Sequence, residues 1–136
     1  MGIILNRDSL ARYFLLNAID DTDNLLRRVP FTNPSYIKAD GSITSFAFKL
    51  RKGENGLSVD VERLTTYEAS VLDRSRFRLY SLPASCPRNL GLHCLPDPLP
   101  DNAAHALITG NFTDGISRQL AQSATPVPDP GSPNRR

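Results

Sequence analysis

Arg27 and Arg28 stand side by side between Leu26 and Val29. Neighbouring strand residues point to opposite faces, so one guanidinium of such a pair is directed inward or into a groove. An inward guanidinium is costly unless it is paired, and Asp60 is the expected partner. Functionally the pair makes an anion or phosphate clamp, because the planar fork suits bidentate contacts. Structurally it makes an Arg–Asp pair, or an edge strand with both side chains wet. A second group is Gly56-Leu57-Ser58-Val59-Asp60. A turn glycine and a short strand carry Asp60 either to a cleft mouth or to a cap on the next segment. A third is the proline-stiffened loop Asp97-Pro98-Leu99-Pro100-Asp101, which delivers Asn102 and His105 to an apolar strand. Histidine is the natural proton shuttle near neutral pH; in apolar company it is also commonly a hydrogen-bonded core residue. The fourth is Arg74, Arg76 and Arg78, which alternate with Ser75 and Phe77 and lead to Tyr80. Such a stripe suits phosphates with Tyr80 stacking, or one wet face of an antiparallel sheet.

No nucleophile elbow, phosphate loop or metal motif accompanies these groups. Cys86 and Cys94 with His93 offer three ligands at most, whereas structural zinc takes four, so the expectation is free thiols, no metal and no cofactor.

The elements that would position these residues follow from periodicity and punctuation. Residues 8–19 read as a helix: Leu10, Phe14 and Ala18 lie four apart, as do Ala11, Leu15 and Ile19. The acidic run Asp20-Asp21-Thr22-Asp23 ends it as a solvated loop. Strands are expected at Leu25–Val29, Tyr36–Lys38, Ile43–Leu50, Leu57–Val59, Arg74–Leu82, Leu90–Leu95 and Ala103–Thr109. Thr65 and Glu68 fit a capping box for a short helix to about Asp73. Thr113 or Asp114 caps a last helix to about Ser123. From Thr125 the chain holds Pro126, Pro128, Pro130 and Pro133 and reads as a disordered tail. Strands are not each followed by a helix, so the fold class is α+β. It is a small, mostly antiparallel sheet with the N-terminal, middle and C-terminal helices on one side. Residues 1–124 form one domain, with the helix and acidic loop in 1–24 and the core in 25–124; 125–136 are the tail.

The 136 residues carry 16 Lys and Arg against 14 Asp and Glu. The signs are evenly spread, and no global basic field of the kind that drives non-specific nucleic-acid binding is present. Two cysteines are too few for a disulfide scaffold. No apolar run reaches spanning length, and the start lacks the features of a signal peptide. A cytoplasmic protein with no membrane partner is expected.

Several segments resemble a group of small bacterial proteins known only as hypothetical. They are Arg27-Arg28-Val29-Pro30, Ser45-Phe46-Ala47-Phe48, Leu57-Ser58-Val59-Asp60, Asp97-Pro98-Leu99-Pro100 and Ala104-His105-Ala106-Leu107, within roughly Leu25–Ala124. That resemblance implies no assigned activity. A fainter one is to ADP-ribosyltransferase-type toxins, in which an Arg- or His-bearing strand precedes a Ser-, Thr- or Tyr-bearing strand across a nicotinamide pocket. Arg28 and Ser45 stand in that order; the late glutamate of many such enzymes has no counterpart, since the last glutamate is Glu68. The leading expectation is a small bacterial accessory protein that docks a larger protein partner through Leu10 and Phe14. The alternative is a nucleotide-directed enzyme, with Arg28 clamping phosphate, Ser45 positioning substrate and Asp60 or His105 assisting. The third is nucleic-acid binding through Arg74, Arg76 and Arg78.

Overall fold

The computed structural model describes residues 18–131. The expected helix over residues 8–19, with Leu10 and Phe14, therefore lies almost wholly outside the described residues.

Strand β1 (Asn24–Pro30) carries apolar side chains on both faces, which marks it as central. It pairs antiparallel with β2 (Leu57–Val61) on one side and β3 (Phe77–Pro83) on the other. Strands β4 (His93–Pro96) and β5 (His105–Thr109) extend the sheet past β2, and β6 (Thr125–Pro126) closes the far edge on β3. The order is β4-β5-β2-β1-β3-β6, and every pairing is antiparallel. The described residues are thus α+β, with a six-stranded antiparallel sheet and three α-helices among them.

Strand parity divides the interior. Leu25, Val29, Leu57, Val59, Tyr80, Leu82, Ala106 and Ile108 fill one face. They pack against Phe48 and against Leu120 of helix α3 (Asp114–Ser123). Leu26 and Leu79 occupy the opposite face and pack against Val71 of helix α1 (Tyr67–Val71). Helices α1 and α3 therefore cover opposite faces of the sheet, whereas the sequence places the helices on one side. A sheet with apolar residues on both faces needs cover on both.

Helix α3 begins as expected: Thr113 Oγ1 accepts from the Ile116 amide at 3.1 Å, and Asp114 sits in the favourable first turn. Helix α1 starts one residue later than its capping box implied. Thr66, not Thr65, accepts from the Ala69 amide at 3.2 Å, and Glu68 bonds Arg74 at 2.8 Å instead of reaching back. The helix ends at Val71 because Leu72 adopts φ +66°, where Asp73 N–H donates to Val71 O at 2.7 Å across it. Helix α2 (Ser85–Asn89) is not among the expected elements and precedes β4, which begins at His93 and not at Leu90; Pro87 is tolerated in the helix's first turn.

The strand expected over Ile43–Leu50 is instead a 3₁₀ turn over Ser45–Phe48, capped by Thr44. A strand would put Phe46 and Phe48 on one face. The turn buries Phe48, whose carbonyl accepts from Ser117 Oγ at 2.9 Å, and leaves Phe46 51% exposed under the Lys49 ammonium. The segment from Thr125 to Gly131, expected as part of the disordered tail, is laid along β3. Val127 N–H donates to Leu79 O at 2.9 Å, and Asp129 takes Arg74 Nε at 2.8 Å. Residues 132–136 lie outside the described residues.

Candidate functional site

Strand parity places Leu26 and Arg28 of β1, Ser58 and Asp60 of β2, and His105 of β5 on one face, with Leu26 opposite Asp60 and Asp60 opposite His105. They line a cleft of about 360 Å³, walled by Ser70 of α1 and the loop that carries Leu99 and Asn102.

The cleft exists because β1 and β2 stop pairing. Only Leu25–Val61 and Leu26–Asp60 are in register, after which the strands part. Arg27 fills the gap from the opposite face. Its Nη1 donates to Ser58 O and its Nε to Ala47 O, each at 2.8 Å, so side-chain bonds replace the missing ladder. Burial pulls this guanidinium down to about 10, against a smaller opposing influence from Glu54; it remains charged at neutral pH. The expected Arg–Asp60 pair does not form. Arg27 uses two main-chain carbonyls instead, because it points away from Asp60.

At the floor, Asp60 is 5% exposed. Its Oδ2 accepts from Ser70 Oγ at 2.7 Å and its Oδ1 from Asn102 Nδ2 at 2.8 Å. The amide of Asn102 can present only its nitrogen here, since its oxygen accepts from the Ala104 N–H at 3.1 Å. Asn102 in turn closes a tight loop: Leu99 and Asn102 exchange main-chain bonds around Pro100 and Asp101. Arg28 Nε donates to Ser70 O at 2.9 Å, and its guanidinium lies 5.7 Å from the Phe77 ring centre.

At the mouth, His105 Nε2 is 3.1 Å from Ser58 Oγ, diagonally across the β2–β5 pair. The other ring nitrogen, Nδ1, lies 2.9 Å from Asp97 O and 3.1 Å from Asp97 Oδ2. Both Asp97 atoms only accept, so Nδ1 carries the proton. In neutral His105 the Nε2 lone pair is then free to accept the Ser58 hydroxyl proton. Ser58 itself is exposed, and the His105 side chain is 14% exposed. Asp97 N–H donates to His105 O at 2.9 Å, which holds the carboxylate beside the ring. A hydroxyl and an imidazole in hydrogen-bond contact, with the ring fixed by the Asp97 carbonyl and its carboxylate close by, is an arrangement able to serve as nucleophile and base.

Of the residues singled out in the sequence, Arg28, Asp60, Asn102 and His105 come together in this cleft. Arg27 is also among the lining residues, its guanidinium bonded to the Ala47 and Ser58 carbonyls. Ser45 lies in the 3₁₀ turn, is not among the lining residues and is not on a strand. The arginine stripe is broken up. Arg74 is held by Glu68 and Asp129, Arg76 stacks on Phe77, and Arg78 stacks on Phe31. Tyr80 turns into the core and donates to Gly41 O at 3.1 Å. Arg74 and Arg76 precede β3, so the expected alternation begins only at Phe77. Ser58, Ser70 and Asp97 were missed. Parity alone puts Ser58 beside Asp60, two residues on; Asp97 opens the same proline-stiffened segment as His105, and nothing in the sequence joins Ser70 to them. Cys86 and Cys94 are free thiols, and burial pushes the Cys94 thiol above its ordinary range. No three His, Cys, Asp or Glu side chains among the described residues are grouped to hold a metal ion. No described helix is long and apolar enough to cross a membrane.

No family model, no curated protein and no solved structure matches the chain.

Proposed function

We propose that the chain is an enzyme that removes an acyl group from a small substrate, with Ser58 as nucleophile, His105 as general base and Asp97 as the residue that orients His105. The observation that carries this reading is the Ser58 Oγ–His105 Nε2 contact at 3.1 Å beside a small-molecule cleft, with Nδ1 of the same ring bonded to the Asp97 carbonyl at 2.9 Å and 3.1 Å from its carboxylate. Ser58 Oγ attacks the substrate carbonyl carbon as its proton passes to Nε2. The same proton then goes to the leaving group as the carbonyl–heteroatom bond breaks. A water molecule, deprotonated by His105, adds to the acyl-serine and releases the acid and Ser58. Arg28 places positive charge in the same cleft, which supports an anionic substrate, as in the nucleotide-directed alternative without Ser45. The accessory reading rests on Leu10 and Phe14, outside the described residues. The nucleic-acid reading rests on arginines that are stacked or ion-paired.

The test is covalent labelling with a fluorophosphonate, read by intact mass and by the modified peptide. One adduct on Ser58 is expected, abolished in Ser58→Ala and slowed by about 10²-fold or more in His105→Ala, the scale of general-base assistance. Folded protein that stays unlabelled, or that labels at another residue, would refute the assignment.

A further inference from the structure

We infer that the cleft takes a small zwitterion of the amino-acid kind, with its carboxylate on Arg28 and its ammonium on Asp60. This rests on the acyl-transfer reading only for the position of the reacting acyl carbon, which the ligand's side chain holds over Ser58.

Arg28 is anchored by Nε alone: that atom bonds Ser70 O at 2.9 Å, and the terminal nitrogens have no hydrogen-bond partner among the described residues. Arg28 makes no ion pair among the described residues either. A half-buried guanidinium that lines a cleft and has unbonded terminal nitrogens is a ready bidentate site for a carboxylate. Asp60 is its counterpart. Both of its donors, Ser70 Oγ and Asn102 Nδ2, are neutral, and no cation among the described residues pairs with it. A carboxylate oxygen accepts more than one bond, so each retains acceptor capacity.

The two opposite charges share one wall and are kept from each other by a single residue. The Ser70 carbonyl takes Arg28 while the Ser70 hydroxyl takes Asp60. A half-buried guanidinium and a buried carboxylate thus make no ion pair with each other and line the same cleft. A ligand with both signs a few bonds apart satisfies each without leaving either partner uncompensated. The 360 Å³ of the cleft suits a molecule of that size, and Leu72 and Leu99 at its rim offer apolar contact to its carbon chain.

The experiment is calorimetric or NMR titration of the full-length Ser58→Ala protein with L-glutamine, N-acetyl-L-glutamine, L-glutamine methyl ester and inorganic phosphate. Glutamine is the probe because its side-chain amide is an acyl group. Ser58→Ala removes turnover, so the outcome does not depend on catalysis. Expected is saturable binding of L-glutamine, weakened at least tenfold by acetylation of the amine or esterification of the carboxylate. Arg28→Gln and Asp60→Asn should each reproduce that loss, with melting curves confirming the fold. Arg28→Lys, which keeps the charge without the fork, serves where Arg28→Gln does not fold and should also bind more weakly. Binding of the ester or the N-acetyl compound as tightly as the parent overturns the zwitterion. So does binding of phosphate but not glutamine, or of none of the four. If Ser58 labels with fluorophosphonate and no zwitterion binds, only the substrate class falls. If glutamine binds and Ser58 does not label, only the acyl-transfer chemistry falls.

Discussion

Replacing Ser70 by alanine removes one hydroxyl and leaves the packing almost unchanged, so its consequence can be worked from a single bond. Ser70 is 1% exposed and Asp60 5%, and the bond between them is 2.7 Å. Hydrogen bonds to charged groups contribute about 1.5–3 kcal/mol net, and a buried acceptor that loses its donor costs on a similar scale. Water has little access to the floor of the cleft, so Ser70→Ala should destabilise the protein by about 2 kcal/mol. With a urea m-value of about 1–3 kcal/mol/M, that lowers the denaturation midpoint by about 1 M. The reasoning has a sharper form in a double-mutant cycle with Asp60→Asn. In that background Ser70 faces a neutral amide, where a hydrogen bond contributes about 1 kcal/mol. The two substitutions should therefore couple by about 1 kcal/mol. Urea unfolding at neutral pH, monitored by circular dichroism on all four proteins, measures this. A single-mutant cost below about 0.5 kcal/mol, or additivity within about 0.3 kcal/mol, would refute the claim that Ser70 holds a charged Asp60.

Leu72 sits at φ +66° and is 68% exposed, so it bears strain without much burial in return. Such conformations cost about 1–3 kcal/mol, and glycine relieves them at an entropic cost of about 1 kcal/mol. Leu72→Gly should raise the melting temperature by a few degrees, whereas a lower one would show that Leu72 is held by packing. Burial raises the Cys94 thiol while Cys86 is partly exposed; iodoacetamide at pH 8 should modify Cys86 at least tenfold faster in native protein, with the difference lost in urea. The hydroxyl and then the amide of Ser75 hold the Asp73 carboxyl below its ordinary value. Its contribution to stability is therefore full above the unfolded carboxylate pKa of about 3.9 and is lost as pH falls through the lower folded value. An NMR titration should show the Asp73 midpoint moving up in Ser75→Ala; an unchanged midpoint would remove the hydroxyl as the cause.

What the sequence by itself determined was local. Short apolar runs with proline and glycine punctuation locate β1, β2 and β5. The Thr113 cap locates α3, and the residue types at Arg28, Asp60, Asn102 and His105 mark them as chemically capable whatever their proximity. These features depend on neighbours within a few residues, where backbone stereochemistry and capping chemistry decide the outcome. The reading failed where distant segments supply the partner. Ser45–Phe48 is a 3₁₀ turn because Ser117 and the core draw Phe48 inward. Thr125–Gly131 is ordered because β3 offers an unpaired edge and Arg74 offers a charge. Helices cover both faces because β1 is apolar on both. Only the tertiary structure decided that β1 and β2 part after two residue pairs, with Arg27 wedged in the gap. It alone brought Asp97 to His105, His105 to Ser58 and Ser70 between Arg28 and Asp60. Those contacts span 8, 47, 42 and 10 residues of chain. Strand register sets the Ser58 contact, and the packing of α1 on Leu26 and Leu79 sets those of Ser70, neither of which is written in local spacing.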